Sequence, residues 1–195
     1  MDRHVNLELI LVGDEVELTS LVTRIVGDQP RLGIRHSSEV VGMSEAPTDA
    51  LRKKKDSSMR VAIDLVREGL AEACVSAGNT GALMATAKFV LRMLPGIDRP
   101  AIIVELPAIG GTVHMLDLGA NTVSSAKQLF QFAVMGSIIA SDIRDIDHPR
   151  VALLNIGVED TKGPDPVRAA ASLLNQSGPV SYTHLRAHET EADRV

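Results

Sequence analysis

Three short stretches of the chain combine glycine with asparagine in a way that suits the handling of an oxygen anion. They are SAGNTG (76–81), DLGAN (117–121) and NIGVEDTKG (155–163). At Gly78, Gly81, Gly119 and Gly157 no Cβ stands between the backbone and a ligand. The amides of Asn79, Asn121 and Asn155 can donate hydrogen bonds to an oxyanion. Ser76 and Thr80 add hydroxyls, Asp117 and Glu159 add carboxylates, and Lys162 adds a full positive charge. Glycine and asparagine occur in any turn, so one such loop alone is only a connection. Three loops with one chemistry predict a phosphate or carboxylate cleft.

The elements around these loops must bring them to one edge. Residues 7–12 (LELILV) read as a buried strand closed by Gly13-Asp14, and 15–26 as a helix with apolar residues at helical spacing. A weaker strand at 32–35 precedes a loop of small residues at 42–48. Ser57 or Ser58 can cap the next helix, whose Met59, Ala62, Ile63 and Val66 share one face. A strand at 73–76 then leads through SAGNTG into a helix over 80–94, with Asn79 or Thr80 as its cap. The free N–H groups of such a first turn, at the positive end of the helix dipole, attract anions. Further strands are expected at 101–106, 113–118 and 151–156. A long amphipathic stripe from Leu129 to Ala140 and a helix over 164–174 complete the pattern. Strands that alternate with helices and are nearly all apolar predict an α/β fold with a parallel sheet covered on both faces. In such a sheet the loops after the strands emerge at the carboxyl-end edge, where ligands bind.

Composition excludes several classes. A net charge of −5, no tryptophan and only four Phe and Tyr residues argue against nucleic acid as a partner. The single cysteine, Cys74, rules out a disulfide framework and a cysteine-rich zinc site, and is expected as a small core residue. No G-x-G-x-x-G turn follows a strand, which disfavours a dinucleotide-dependent dehydrogenase. Neither a membrane-spanning apolar run nor a leader is evident, so a cytoplasmic location is expected. The basic run from Arg52 to Lys55 reads as a solvated helix edge or a dock for an acidic partner. The last residues, 181–195, abandon the strand–helix rhythm. Within them SYTHLRAHET (181–190) resembles translated sequencing-adapter read-through, so this tail is expected to be non-native. Its His184 and His188 have the i, i+4 spacing of zinc ligands but no third ligand, and no metal is expected.

The motifs SAGNTGALMA, SSMRVAIDLVREG, GIDRPAI, DLGAN, QFAVMGS and PRVALLNIGVEDTKG occur in this order. Through them most of residues 5–175 resembles the bacterial phosphate acyltransferase family PlsX. The resemblance implies a three-layer α/β/α fold, isopropylmalate-dehydrogenase-like, with a mainly parallel sheet. It implies transfer of a long-chain fatty acyl group from acyl carrier protein to inorganic phosphate, giving acyl phosphate for phospholipid synthesis. It also implies a homodimer held peripherally at the inner face of the membrane when full length, with no cofactor.

For that reaction Lys162, Asn155 and Asn121 are the expected catalytic groups, steadying phosphate or the tetrahedral oxyanion. Ser76, Gly78, Asn79, Thr80, Gly81, Asp117, Gly119, Gly157 and Glu159 are expected to bind the phosphate. Asp117 suits an orienter better than a base, since a carboxylate touching phosphate dianion would repel it. The family's opening strand with its glycine- and aspartate-rich loop, and its C-terminal half, have no counterpart here. The fold is therefore expected as a partial domain over 1–180, incomplete at both ends and inactive by itself. The alternatives are a short-chain phosphate acyltransferase using acyl-coenzyme A and a non-catalytic protein that binds a phosphorylated metabolite.

Overall fold

The computed structural model describes residues 6–27, 29–109, 111–155 and 163–177, and the backbone of 181–186. Strands and helices interleave along the chain, as the apolar patterning predicts, and the class is α/β. The chain forms two compact units, Met1–Arg92 and Met93–Val195.

In the first unit β1 (Leu9–Gly13) pairs in parallel with β2 (Leu32–His36). The crossover between them is α1 (Glu15–Ile25), which starts where the Asp14 side chain accepts from the N–H of Glu17. The unit continues with α2 (Pro47–Lys53), α3 (Ser58–Arg67) and α4 (Thr80–Leu91). Ala50, Met59, Ile63, Ala82 and Val90 form its core, with Cys74 packed against it as a small half-buried side chain. Of the two serines expected as candidates, Ser57 caps α3. The expected strand at 73–76 belongs to no ladder among the described residues, and Val75 is 97% exposed. An apolar run becomes a strand only when a neighbour pairs with its backbone, which a period count does not test. The helix α2 was hidden in the sequence because Pro47 reads as a loop residue, although it sits in the first turn, where proline is tolerated.

The second unit holds β3 (Ile103–Ala108), β4 (Gly111–Leu116), α5 (Ala126–Arg144), β5 (Arg150–Asn155), α6 (Asp165–Gln176) and β6 (Ser181–Arg186). Its apolar core of Ala133, Leu153, Ala170 and Leu174 joins α5, β5 and α6. The strands β3 and β4 form an antiparallel pair, in contrast to the two parallel pairs of the chain. Their short connection permits nothing else, since a parallel crossover needs about a dozen residues. Residues 181–186, within the tail expected to be non-native, form β6, whose backbone pairs in parallel with β5. Among the described residues no helix is long and apolar enough to cross a membrane.

Candidate active site

The first loop precedes α4, and its geometry turns on Asn79, which is 8% exposed. The Asn79 Oδ1 accepts from the N–H of Ala82 at 3.0 Å and so caps the helix. Its Nδ2 donates to the carbonyls of Gly42, Met43 and Glu45 at 3.2, 3.0 and 2.9 Å. The amide expected to reach an oxyanion is thus occupied by the 42–45 turn, and Asn79 positions the loop instead. Glu45 locks that turn from the other side. Its carboxylate accepts from the N–H of Gly42 at 3.2 Å and pairs with Lys54 at 2.5 Å. The Lys54 hydrogen bond is the main cause that holds the Glu45 carboxyl below its usual range. Half of the basic run is therefore paired, since Lys53 also meets Asp49 at 3.3 Å.

The small residues of the loop have packing reasons. A Cβ on Gly78 would lie 3.2 Å from Met59 Cε, and one on Gly81 3.0 Å from Pro47 Cγ. The Ser76 Oγ accepts from the N–H of Gly78 at 3.2 Å. The N–H groups of Thr80 and Gly81 have no carbonyl one turn back in the helix, and both residues are exposed. These two donors, rather than the Asn79 amide, remain for an anion.

The second loop follows β4 and is organised by Asp117. Its carboxylate accepts from the backbone N–H groups of Ile102 at 2.8 Å, Ala120 at 3.2 Å and Asn121 at 2.6 Å. It also accepts from Asn121 Nδ2 at 3.0 Å. Burial alone raises its pKa, but the hydrogen bonds from Ile102, Asn121 and Ala120 outweigh it and hold the carboxyl below the usual carboxylate range. An ionised carboxylate saturated by donors orients a loop and is a poor base. Gly119 takes φ +85°, a conformation that favours glycine. Asn121 Nδ2 also donates to the carbonyl of Pro100 at 3.0 Å, so both hydrogens of this amide point into the protein. Its Oδ1 accepts from Arg99 Nη1 at 3.5 Å. Asn121 therefore braces the loop, and the outward donor beside it belongs to Arg99. Sequence reading passed over Arg99 because it precedes the strand instead of following it, although GIDRPAI marked the place.

Of the third loop, Asn155 and Gly163 are described, while Gly157, Glu159 and Lys162 lie outside the described residues, as does His188. Asn155 ends β5 and meets Gly163 closely, its Oδ1 only 2.1 Å from where a Cβ on Gly163 would stand. Gly163 also holds φ +107°. Gly163→Ala is expected to cost on the order of 2 kcal/mol, from left-handed backbone strain and displacement of the Asn155 amide. Urea unfolding checks this, and a change below about 0.5 kcal/mol, the scale of a neutral surface substitution, contradicts the contact.

The model of the family described as "Fatty acid synthesis protein" matches residues 2–185. A phosphate acyltransferase of Halorhodospira halophila is 53% identical over 183 residues, covering 93% of this chain and 53% of that protein. One from Nitrosococcus oceani is 58% identical over 174 residues, covering 89% of this chain and 51% of that protein. The chain thus spans about half the length of the curated relatives it matches. Among solved structures, the EutD phosphotransacetylase from Staphylococcus aureus superposes with a TM-score of 0.64 at 18% identity, covering 93% of this chain and 61% of that one. A branched-chain phosphotransacylase from Enterococcus faecalis gives 0.50 at 16% identity, covering 90% of this chain and 67% of that one. At such identities the two structures speak to the fold alone. Because the family model spans nearly the whole chain, the chain belongs to the fatty acid synthesis protein family.

Proposed function

We propose that this chain is part of a phosphate acyltransferase that, in its full length, moves a long-chain acyl group from acyl carrier protein to inorganic phosphate. The observation that carries the reading is 53–58% identity, over about nine-tenths of the chain, to relatives named phosphate acyltransferase. The chemistry of the loops supports it. Phosphate must be held against a thioester carbonyl, and the developing oxyanion needs fixed donors that do not reorganise. Thr80 and Gly81 offer such donors in the first loop, and Asp117, Asn121 and Gly119 shape the second. Lys162 and Asn155 remain the proposed groups of the third, whose sequence also supplies Gly157 and Glu159. One well-aimed donor is worth roughly 3 kcal/mol, about a hundredfold in rate. Thiolate leaves readily, so no strong general acid is required. The exposed Arg52 and Lys55 are a proposed contact for the acidic carrier protein.

The test is phosphate-dependent thiol release by the full reading frame, from long-chain acyl carrier protein and, in parallel, from acetyl-coenzyme A. Release from the carrier protein with acyl phosphate formed is the expected result. Release from acetyl-coenzyme A alone moves the activity to short-chain donors. A folded protein that binds phosphate and releases neither thiol is a binding protein, and the acyl-transfer reading fails.

A further inference from the structure

The backbone on either side of Arg99 is pinned at nearly every second residue. Gln131, 5% exposed on α5, donates through Nε2 to the carbonyl of Gly96 at 2.6 Å and accepts from the N–H of Asp98 at 3.1 Å. Asn121 Nδ2 holds the carbonyl of Pro100 at 3.0 Å, and Asp117 Oδ1 takes the N–H of Ile102 at 2.8 Å. The carbonyl of Ile102 accepts in turn from the N–H of Leu118 at 3.0 Å. Two side chains of the DLGAN loop and one of α5 thus fix residues 96–102 in place.

At the centre of this fixed segment Arg99 stays exposed. Its neighbours do not neutralise it. Asp98 pairs with Lys127 at 3.1 Å, and Asp117 is filled by its own four N–H donors. Among the described residues no carboxylate lies within ion-pair distance of the Arg99 guanidinium. Among the described residues its one hydrogen bond is the long one to the neutral Asn121 Oδ1, which uses one of five N–H donors. A surface arginine with mobile backbone needs no purpose. An arginine whose backbone is clamped and whose charge meets no carboxylate among the described residues is arranged to take a ligand. The guanidinium fork matches phosphoryl oxygens two at a time.

We propose that Arg99, held on a backbone that Gln131, Asn121 and Asp117 fix in place, binds a phosphoryl oxyanion beside the DLGAN loop. The inference rests on the acyl-transfer reading for its setting and not for its test. The phosphoryl group is either the free phosphate acceptor or a phosphate carried by the thioester donor, and the two are separable.

The experiment compares Arg99→Gln and Arg99→Lys with the parent protein in its full reading frame. Titration with inorganic phosphate followed by phosphorus NMR gives binding, and initial rates give the KM for phosphate and for the acyl donor. Arg99→Gln is expected to weaken one of them at least tenfold, with Arg99→Lys recovering part of the loss. The thermal midpoint is expected to stay within about 2 °C, because the side chain is exposed. Weaker phosphate binding identifies the acceptor as the ligand, and a raised donor KM alone identifies the donor's phosphate. If the parent turns over and both constants are unchanged in the variants, Arg99 is not the anion site while the acyl-transfer reading stands. If no protein turns over but phosphate binding falls with Arg99→Gln, the site stands and the acyl-transfer reading falls. A parent that neither binds phosphate nor turns over overturns both.

Discussion

Asn79→Ala is expected to destabilise the first unit by about 3 kcal/mol, more than a lost helix cap explains. The cap itself is worth about 1 kcal/mol. The remainder comes from the carbonyls of Gly42, Met43 and Glu45, which lose their shared donor where Asn79 is buried. A stranded polar group in such a place costs about 1–3 kcal/mol. Two further variants separate the contributions. Asn79→Ser keeps a capping oxygen and removes the donors, and is expected to recover only the cap. Asn79→Asp keeps the cap and turns a carboxylate toward three carbonyls, and is expected to be no better than alanine. Chemical denaturation of the three variants measures this order. A loss below about 1 kcal/mol in Asn79→Ala, or a stable Asn79→Asp, removes the claim that this side chain binds the 42–45 turn to α4.

Asp117→Ala is expected to cost about 3 kcal/mol in the second unit, lowering the thermal midpoint by roughly 6–12 °C. Three backbone N–H groups, of Ile102, Ala120 and Asn121, lose one ionised acceptor together. The pH dependence has a definite sign. The folded-state pKa is depressed, so the stabilisation is fully present at neutral pH. It begins to fade near the ordinary carboxylate value of about 4 and is lost as pH falls through the lower folded value. Asp117→Asn keeps an acceptor but cannot titrate, and its stability is expected to be flatter than the parent's in that acid range. Parallel acid profiles of the two proteins check this, and coincident slopes contradict an ionised Asp117 at the centre of the loop. Because Asp117 also anchors Ile102, Asp117→Ala is expected to loosen the segment bearing Arg99 and to weaken phosphate binding along with stability.

What could be read from the sequence was local. The caps were legible as pairs, Ser57 or Ser58 and Asn79 or Thr80, because a capping oxygen meets an N–H only three residues on, and the structure selects Ser57 and Asn79. Helix periodicity located α1, α3, α4, α5 and α6 to within a few residues, and apolar runs located β1, β2 and β5. Two of the N–H groups that Asp117 accepts from, those of Ala120 and Asn121, belong to its own loop and so lie within reach of a local reading.

What the tertiary structure alone decided was where each polar group points. The Asn79 amide finds its carbonyls 34 to 37 residues away, and Asn121 finds Pro100 21 residues away. No spacing rule reaches so far, so two amides with the composition of oxyanion donors turned out to brace the backbone. The same limit hid the pairing of β3 with β4 and left residues 73–76 outside any ladder. Arg99 owes its significance to the same cause. Composition supplied the arginine, while the hydrogen bonds of Gln131, Asn121 and Asp117 fixed its backbone and left its charge open. Residue type fixes what a group can bond to, and only the folded chain determines which partner reaches it first.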